Sequence, residues 1–188
     1  TEPAVKARLL VRAGEVAGLR QGDMERAQGL LGRALDVGGS GAEADVRLAL
    51  LALKGDWRSV IELRQQVLTL AEAQSDKVYT LCQMGFVFRD RLDDRRNAMK
   101  AFQAAFRLDR ACVVALRAAR GIYREVGDWK LVAQLLQFEL QALQGRSAPP
   151  GEMADSFTML GDVLREHLSN PDAARNCYNS ALKLDAEH

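Results

Sequence analysis

Two histidines, His167 and His188, and three cysteines, Cys82, Cys112 and Cys177, are the side chains best suited to nucleophilic or metal chemistry in this chain of 188 residues. A nucleophile–base pair or a zinc site usually needs histidine at short range from its partners. Here His188 is the last residue, and His167 is flanked by Glu166 and Leu168 in what reads as a solvated turn. The cysteines are 30 and 65 residues apart, without a Cys-x-x-Cys spacing. Their odd number cannot be fully paired, so they read as small buried hydrophobes, which favours a reducing, cytoplasmic setting. Acid–base chemistry has one visible candidate, the charge run Arg89-Asp90-Arg91 and Asp93-Asp94-Arg95-Arg96. Carboxylates expected in a solvated turn are poorly suited to general acid–base work. Trp57 and Trp129 are a candidate ligand-stacking pair, but each follows Gly-Asp at an equivalent place, which reads as packing. Phosphate loops, dinucleotide fingerprints and nucleophile elbows are absent. The expectation is a chain without catalytic residues, metal or cofactor, and not an enzyme.

The elements that position these residues are helices. The chain has 28 Ala and 27 Leu against only 20 Ile, Val and Thr together. Ala and Leu lose little side-chain freedom in a helix, whereas β-branched residues favour strands. A sandwich, barrel or parallel sheet is thereby excluded. The formal charge is +1 with 20 Arg and 6 Lys, not the basic excess of a phosphate-backbone binder. No apolar run approaches the length of a membrane span. The chain begins at Thr1 without a leader-like stretch, which reads as a fragment of a longer protein.

Internal repetition is the main signal. Gly-Asp recurs at Gly22-Asp23, Gly55-Asp56 and Gly127-Asp128, and the last two extend to Trp57 and Trp129. Met84-Gly85-Phe86-Val87-Phe88 and Leu160-Gly161-Asp162-Val163-Leu164 lie 76 residues apart. Each is followed by small and aromatic positions at matching spacing: Ala98, Phe102 and Ala105, then Ala174, Tyr178 and Ala181. Asp23, Asp56, Asp94, Asp128 and Asn170 stand where the N-cap of a following helix is expected. Gly22, Gly55 and Gly127 suit a left-handed helix end, and Pro171 suits a first helical position. Gln144 to Glu152, with Pro149-Pro150 inside, reads as the one clear loop.

These residues resemble the tetratricopeptide-repeat (TPR) family, whose 34-residue unit pairs a Leu-Gly helix with an Ala-aromatic-Ala helix. The predicted fold is all-α, a right-handed TPR-like superhelix of about ten helices in five helix–turn–helix units. These units span about 8–41, 41–74, 77–110, 113–146 and 154–187 of a single domain. The second and fourth copies are degenerate, with Val60 and Val132 at the first small position. Degenerate Gly-Asp-Trp copies alternate with longer-turn copies, as in large bacterial arrays of this family. Trp57, Ala98, Phe102, Ala105, Trp129, Ala174, Tyr178 and Ala181 are then assigned to packing between helices.

The resemblance further implies a concave groove lined by the first helices, binding a partner protein or peptide. By the family's positions the groove includes Tyr79, Phe86, Arg89, Arg117, Arg124, Asp162 and Arg165. Arg89, Arg124 and Arg165 would form a ladder suited to an acidic or helical segment. The competing expectation is that each pairs with an adjacent acid: Asp90, Glu125 and Glu166 respectively. The Lys/Asn set that clamps a terminal carboxylate in chaperone-binding members is absent, which disfavours that role. The expected function is a protein-interaction scaffold or adaptor, without nucleic-acid or membrane partners, and with self-association through the solenoid ends as an option. The alternatives are a nucleic-acid-binding helical repeat and a regulatory domain of a larger enzyme.

Overall fold

The computed structural model describes residues 2–185, apart from the side chain of Ser40. His188 and Glu187 therefore lie outside the described residues. Among the described residues there are ten α-helices and no strand. They are α1 (Glu2–Gln21), α2 (Met24–Gly38), α3 (Glu43–Leu53), α4 (Trp57–Leu70), α5 (Gln74–Asp90), α6 (Arg95–Leu108), α7 (Val113–Val126), α8 (Trp129–Gly145), α9 (Pro150–Glu166) and α10 (Pro171–Leu184). Neighbouring helices pack in pairs, the arrangement of an all-α TPR-like solenoid. No described helix is long and apolar enough to cross a membrane.

The helices fall into two compact units, Thr1–Ala71 and Glu72–His188. The first holds α1 to α4, with a 3₁₀ turn at Gly39–Ala42. Its core is Val11, Leu31, Ala34, Val46 and Ala49, with Leu10 and Leu53 against them. The second holds α5 to α10, and its described residues include these clusters. One gathers Val113, Leu116, Ala142, Leu143 and Ala148 with Phe106 and Phe138. The other gathers Val132, Ala133, Leu136, Leu160 and Val163 around Trp129.

The turn chemistry follows from local sequence. Asp23, Asp56, Asp94, Asp128 and Asn170 each accept the backbone N–H three residues on, at 2.9–3.2 Å. That satisfies an amide which the first helical turn leaves without a partner. The residue before each cap is left-handed: φ is +71° at Gly22, +73° at Gly55 and +77° at Gly127, and +50° at both Asp93 and Ser169. The two longer turns thus keep the conformation without the glycine. Replacing Asn170 by Ala should cost about 1 kcal/mol, read from a urea melt of the C-terminal helix pair. An unchanged midpoint would remove the cap from the account.

The loop expected at 144–152 is shorter than the composition suggested. Gln144 and Gly145 finish α8, and Pro150, Gly151 and Glu152 begin α9. Proline at the first helical position gives up no hydrogen bond, because that amide has no intrahelical acceptor. What is left is Arg146–Pro149, with Ala148 buried beneath it.

The recurrent Leu-Gly has a steric reason. A Cβ on Gly85 would come within 2.8 Å of Phe102 Cδ1 and nearer still to the rest of the ring edge. A Cβ on Gly161 would meet the Tyr178 ring at 2.5 Å. Each glycine lets the aromatic of the second helix lie directly on the backbone of the first. Ala98, Ala105, Ala174 and Ala181, the flanking small positions, are all buried.

One carboxylate in the first unit opposes folding at neutral pH. Burial raises the pKa of Glu15, against the lowering effect of Arg64 and Arg12, and Asp45 adds to the rise. A raised carboxylate favours the folded state while protonated, so stability falls as pH climbs from its unfolded value through the folded one. Glu15→Gln should therefore raise the melting temperature at neutral pH and leave it unchanged in acid below the usual Glu range. An equal shift at both pH values would refute the assignment.

Candidate functional site

The groove candidates lie on α5, α7 and α9, all in the second unit. Tyr79 on α5 and Val114 on α7 are 57% and 52% exposed, unusual for large side chains on helices otherwise filled with core residues. Phe86 is half-buried. Its ring meets Phe102 edge-on, with centroids 5.3 Å apart and planes at 67°.

The three ladder arginines have different environments. Arg89 donates to Asp90 through Nε at 2.6 Å and Nη2 at 3.1 Å, and its guanidinium lies 5.2 Å over the Phe86 ring. The Asp90 hydrogen bonds raise its already high pKa. Arg165 donates to Glu166 at 2.7 Å, approaches Asp162 at 3.6 Å and lies 5.6 Å over Tyr178. Arg124 is exposed and forms no ion pair among the described residues. Its expected neighbour Glu125 reaches instead to Arg95 on α6, at 3.2 Å. Two of the three rungs are therefore held by adjacent acids in exposed pairs of small energetic value. The third is open.

Arg117 has a different place from that of a free groove cation. Its Nε meets Glu139 Oε1 at 2.5 Å, and its Nη2 meets Glu152 Oε1 at 3.0 Å. Glu139 on α8 is fully buried. Its other oxygen takes Arg120 Nη1 at 2.5 Å, and Ser156 Oγ donates to Oε1 at 3.3 Å. Arg146 closes the outer edge on Glu152 at 2.7 Å. The network joins α7, α8 and α9. Asp162 is likewise engaged, accepting from Tyr178 Oη at 2.9 Å. Burial, followed by that hydrogen bond, pushes the Tyr178 phenol up.

Residue-by-residue reading missed three features. Glu139 sits in the apolar run Leu135-Leu136-Gln137-Phe138-Glu139-Leu140, and an acid there was the available signal. His167, expected as a solvated turn residue, is exposed but stacks on Trp129, with centroids 3.5 Å apart and planes at 1°. Cys82 and Cys112, expected as separate small hydrophobes, have sulfurs 3.8 Å apart. Trp57 and Trp129 each occupy the first position of a second helix, α4 and α8, and are half-buried. Among the described residues no group of three His, Cys, Asp or Glu is placed to hold a metal ion.

Two comparisons bear on this geometry. Residues 154–188 match the family model described as a tetratricopeptide repeat, a span that takes in α10 and all of α9 but its first four residues. A search of curated proteins finds no match to the chain.

Proposed function

Taking a chain of the tetratricopeptide-repeat family as the premise, we propose that it is a protein-interaction module. In this reading the second unit holds a peptide or helix of a partner protein along the first-helix face of α5, α7 and α9. The observation that carries the reading is the exposure of Tyr79 and Val114 on successive first helices. Large side chains turned to water on an otherwise well-packed helix array supply apolar contact area for a partner. Arg124 offers an unpaired guanidinium on the same set of helices, which suits a carboxylate. The segment recognised is therefore apolar with acidic residues beside it. The near-neutral overall charge of +1 gives no comparable support for a phosphate-backbone partner.

A displayed random-peptide library selected on the intact chain tests this reading. Enriched peptides should combine apolar and acidic residues. Their Kd, read by fluorescence anisotropy, should weaken about tenfold (about 1.4 kcal/mol) for Tyr79→Ala and for Arg124→Glu, with circular dichroism unchanged. Affinity unchanged from the parent chain in both variants, or no enriched sequence, would overturn the proposal.

A further inference from the structure

Cys82 lies within α5, and Cys112 is the N-cap residue of α7. Both are buried, and their Sγ atoms are 3.8 Å apart in hydrogen-bond contact. Bringing them to the S–S bond length of about 2.05 Å needs less than about 2 Å of movement. Cys112 can supply it, because Asp109–Cys112 is the turn between α6 and α7 and not helix interior. The turn also gives access. Cys112 is buried but 8% exposed, and its neighbours Ala111 and Val114 are exposed.

We propose that Cys82 and Cys112 form a dithiol modification site, closed to an intramolecular disulfide when a hydroperoxide oxidises Cys112. The bond would cross-link the first helices of two successive repeats, α5 and α7.

The order of the steps follows from the two environments. Either sulfur can donate in this contact, but only Cys112 stands at a helix N-terminus. With Cys82 as donor, the contact holds Cys112 low, at about 6, helped by the Ala115 and Val114 amides and opposed by burial and Asp109. The same contact, with burial, pushes Cys82 up. Cys112 is thus the thiolate that attacks. Its sulfur displaces hydroxide from the peroxide: the S–O bond forms, the O–O bond breaks, and the hydroxide takes a proton to leave as water. The Cys82 sulfur then attacks the Cys112 sulfenic acid. The S–S bond forms, the S–O bond breaks, and a second water departs with the Cys82 proton. Two thiols are oxidised to one disulfide, and one hydrogen peroxide is reduced to two waters (an organic hydroperoxide would instead give one alcohol and one water).

The test uses the folded chain and hydrogen peroxide. After quenching, the protein is unfolded, treated with a maleimide and weighed. The expected result is a loss of two reactive thiols, a mass lower by two hydrogens, and a tryptic cross-link between the Cys82 and Cys112 peptides that dithiothreitol reverses. Cys177 remains reactive. In Cys82→Ser, dimedone should capture a sulfenic acid at Cys112. Three reactive thiols after peroxide, or a cross-link through Cys177, would overturn the site. Dimedone capture on Cys82 in Cys112→Ser at the same rate would overturn the order of attack.

Discussion

Replacing Glu139 by Ala should destabilise the second unit by about 3–5 kcal/mol, the usual cost of removing one partner from a buried ion network. Both carboxylate oxygens are committed: one to Arg117 and Ser156, the other to Arg120. The group most affected is Arg120, whose side chain is only 17% exposed. Burial already lowers its pKa, and the Glu139 charge is what opposes that effect. Without Glu139 the Arg120 guanidinium keeps its desolvation and loses its counter-ion. Arg117 is less affected, because it is 41% exposed and still has Glu152. Typical single domains have only about 5–15 kcal/mol in total, so the variant should melt far below the parent. Urea unfolding followed by circular dichroism and by Trp129 fluorescence measures the loss. Glu139→Met with Arg120→Met should recover most of it, since both desolvated charges then disappear. A single-variant cost below about 1 kcal/mol would show that the network carries no stability.

Phe102→Ala should cost about 3–5 kcal/mol, the range for emptying a buried aromatic site. The ring is 1% exposed, lies on the bare backbone of Gly85 and is braced by the edge of Phe86. Backbone on one side and a ring on the other leave little to collapse into the cavity. The equivalent Tyr178→Ala should cost less, because Tyr178 is only half-buried. The same geometry fixes the sign for the glycines. Gly85→Ala should destabilise by about 1–3 kcal/mol through overpacking against the Phe102 ring, reduced by the helix preference of alanine. Gly121→Ala in α7 meets nothing within 4 Å, so it should stabilise by about 0.5–1 kcal/mol. Thermal melts of the four variants decide this. Equal shifts at Gly85 and Gly121 would mean that Phe102 swings aside and that the recurrent glycine has another cause.

The helix count and the caps were legible because each depends on residues within one turn. A capping carboxylate needs only the amide three residues on, and Asp23, Asp56, Asp94, Asp128 and Asn170 all find theirs. The pairing of Arg89 with Asp90 and of Arg165 with Glu166 was legible for the same reason, since the partners are adjacent in the chain. The Pro149-Pro150 segment misled because composition does not separate a loop proline from a proline opening a helix. The backbone of α9 does.

What the sequence by itself determined is the repeat: helix-forming residues, a cap at each turn, and small or aromatic residues at the spacing that one helix pair requires. These are local regularities, and the physics behind them is short-range steric and hydrogen-bonding preference. The tertiary structure alone decided which charged and thiol groups meet. Glu139 is 19 and 22 residues from Arg120 and Arg117, and Cys82 is 30 residues from Cys112. Such pairs carry no periodic signal, because they form where different helices of the array are brought side by side. Burial then changes what each group does. It ties the part-exposed Arg117 to the buried Glu139, and proximity turns two separate cysteines into a pair within reach of a bond.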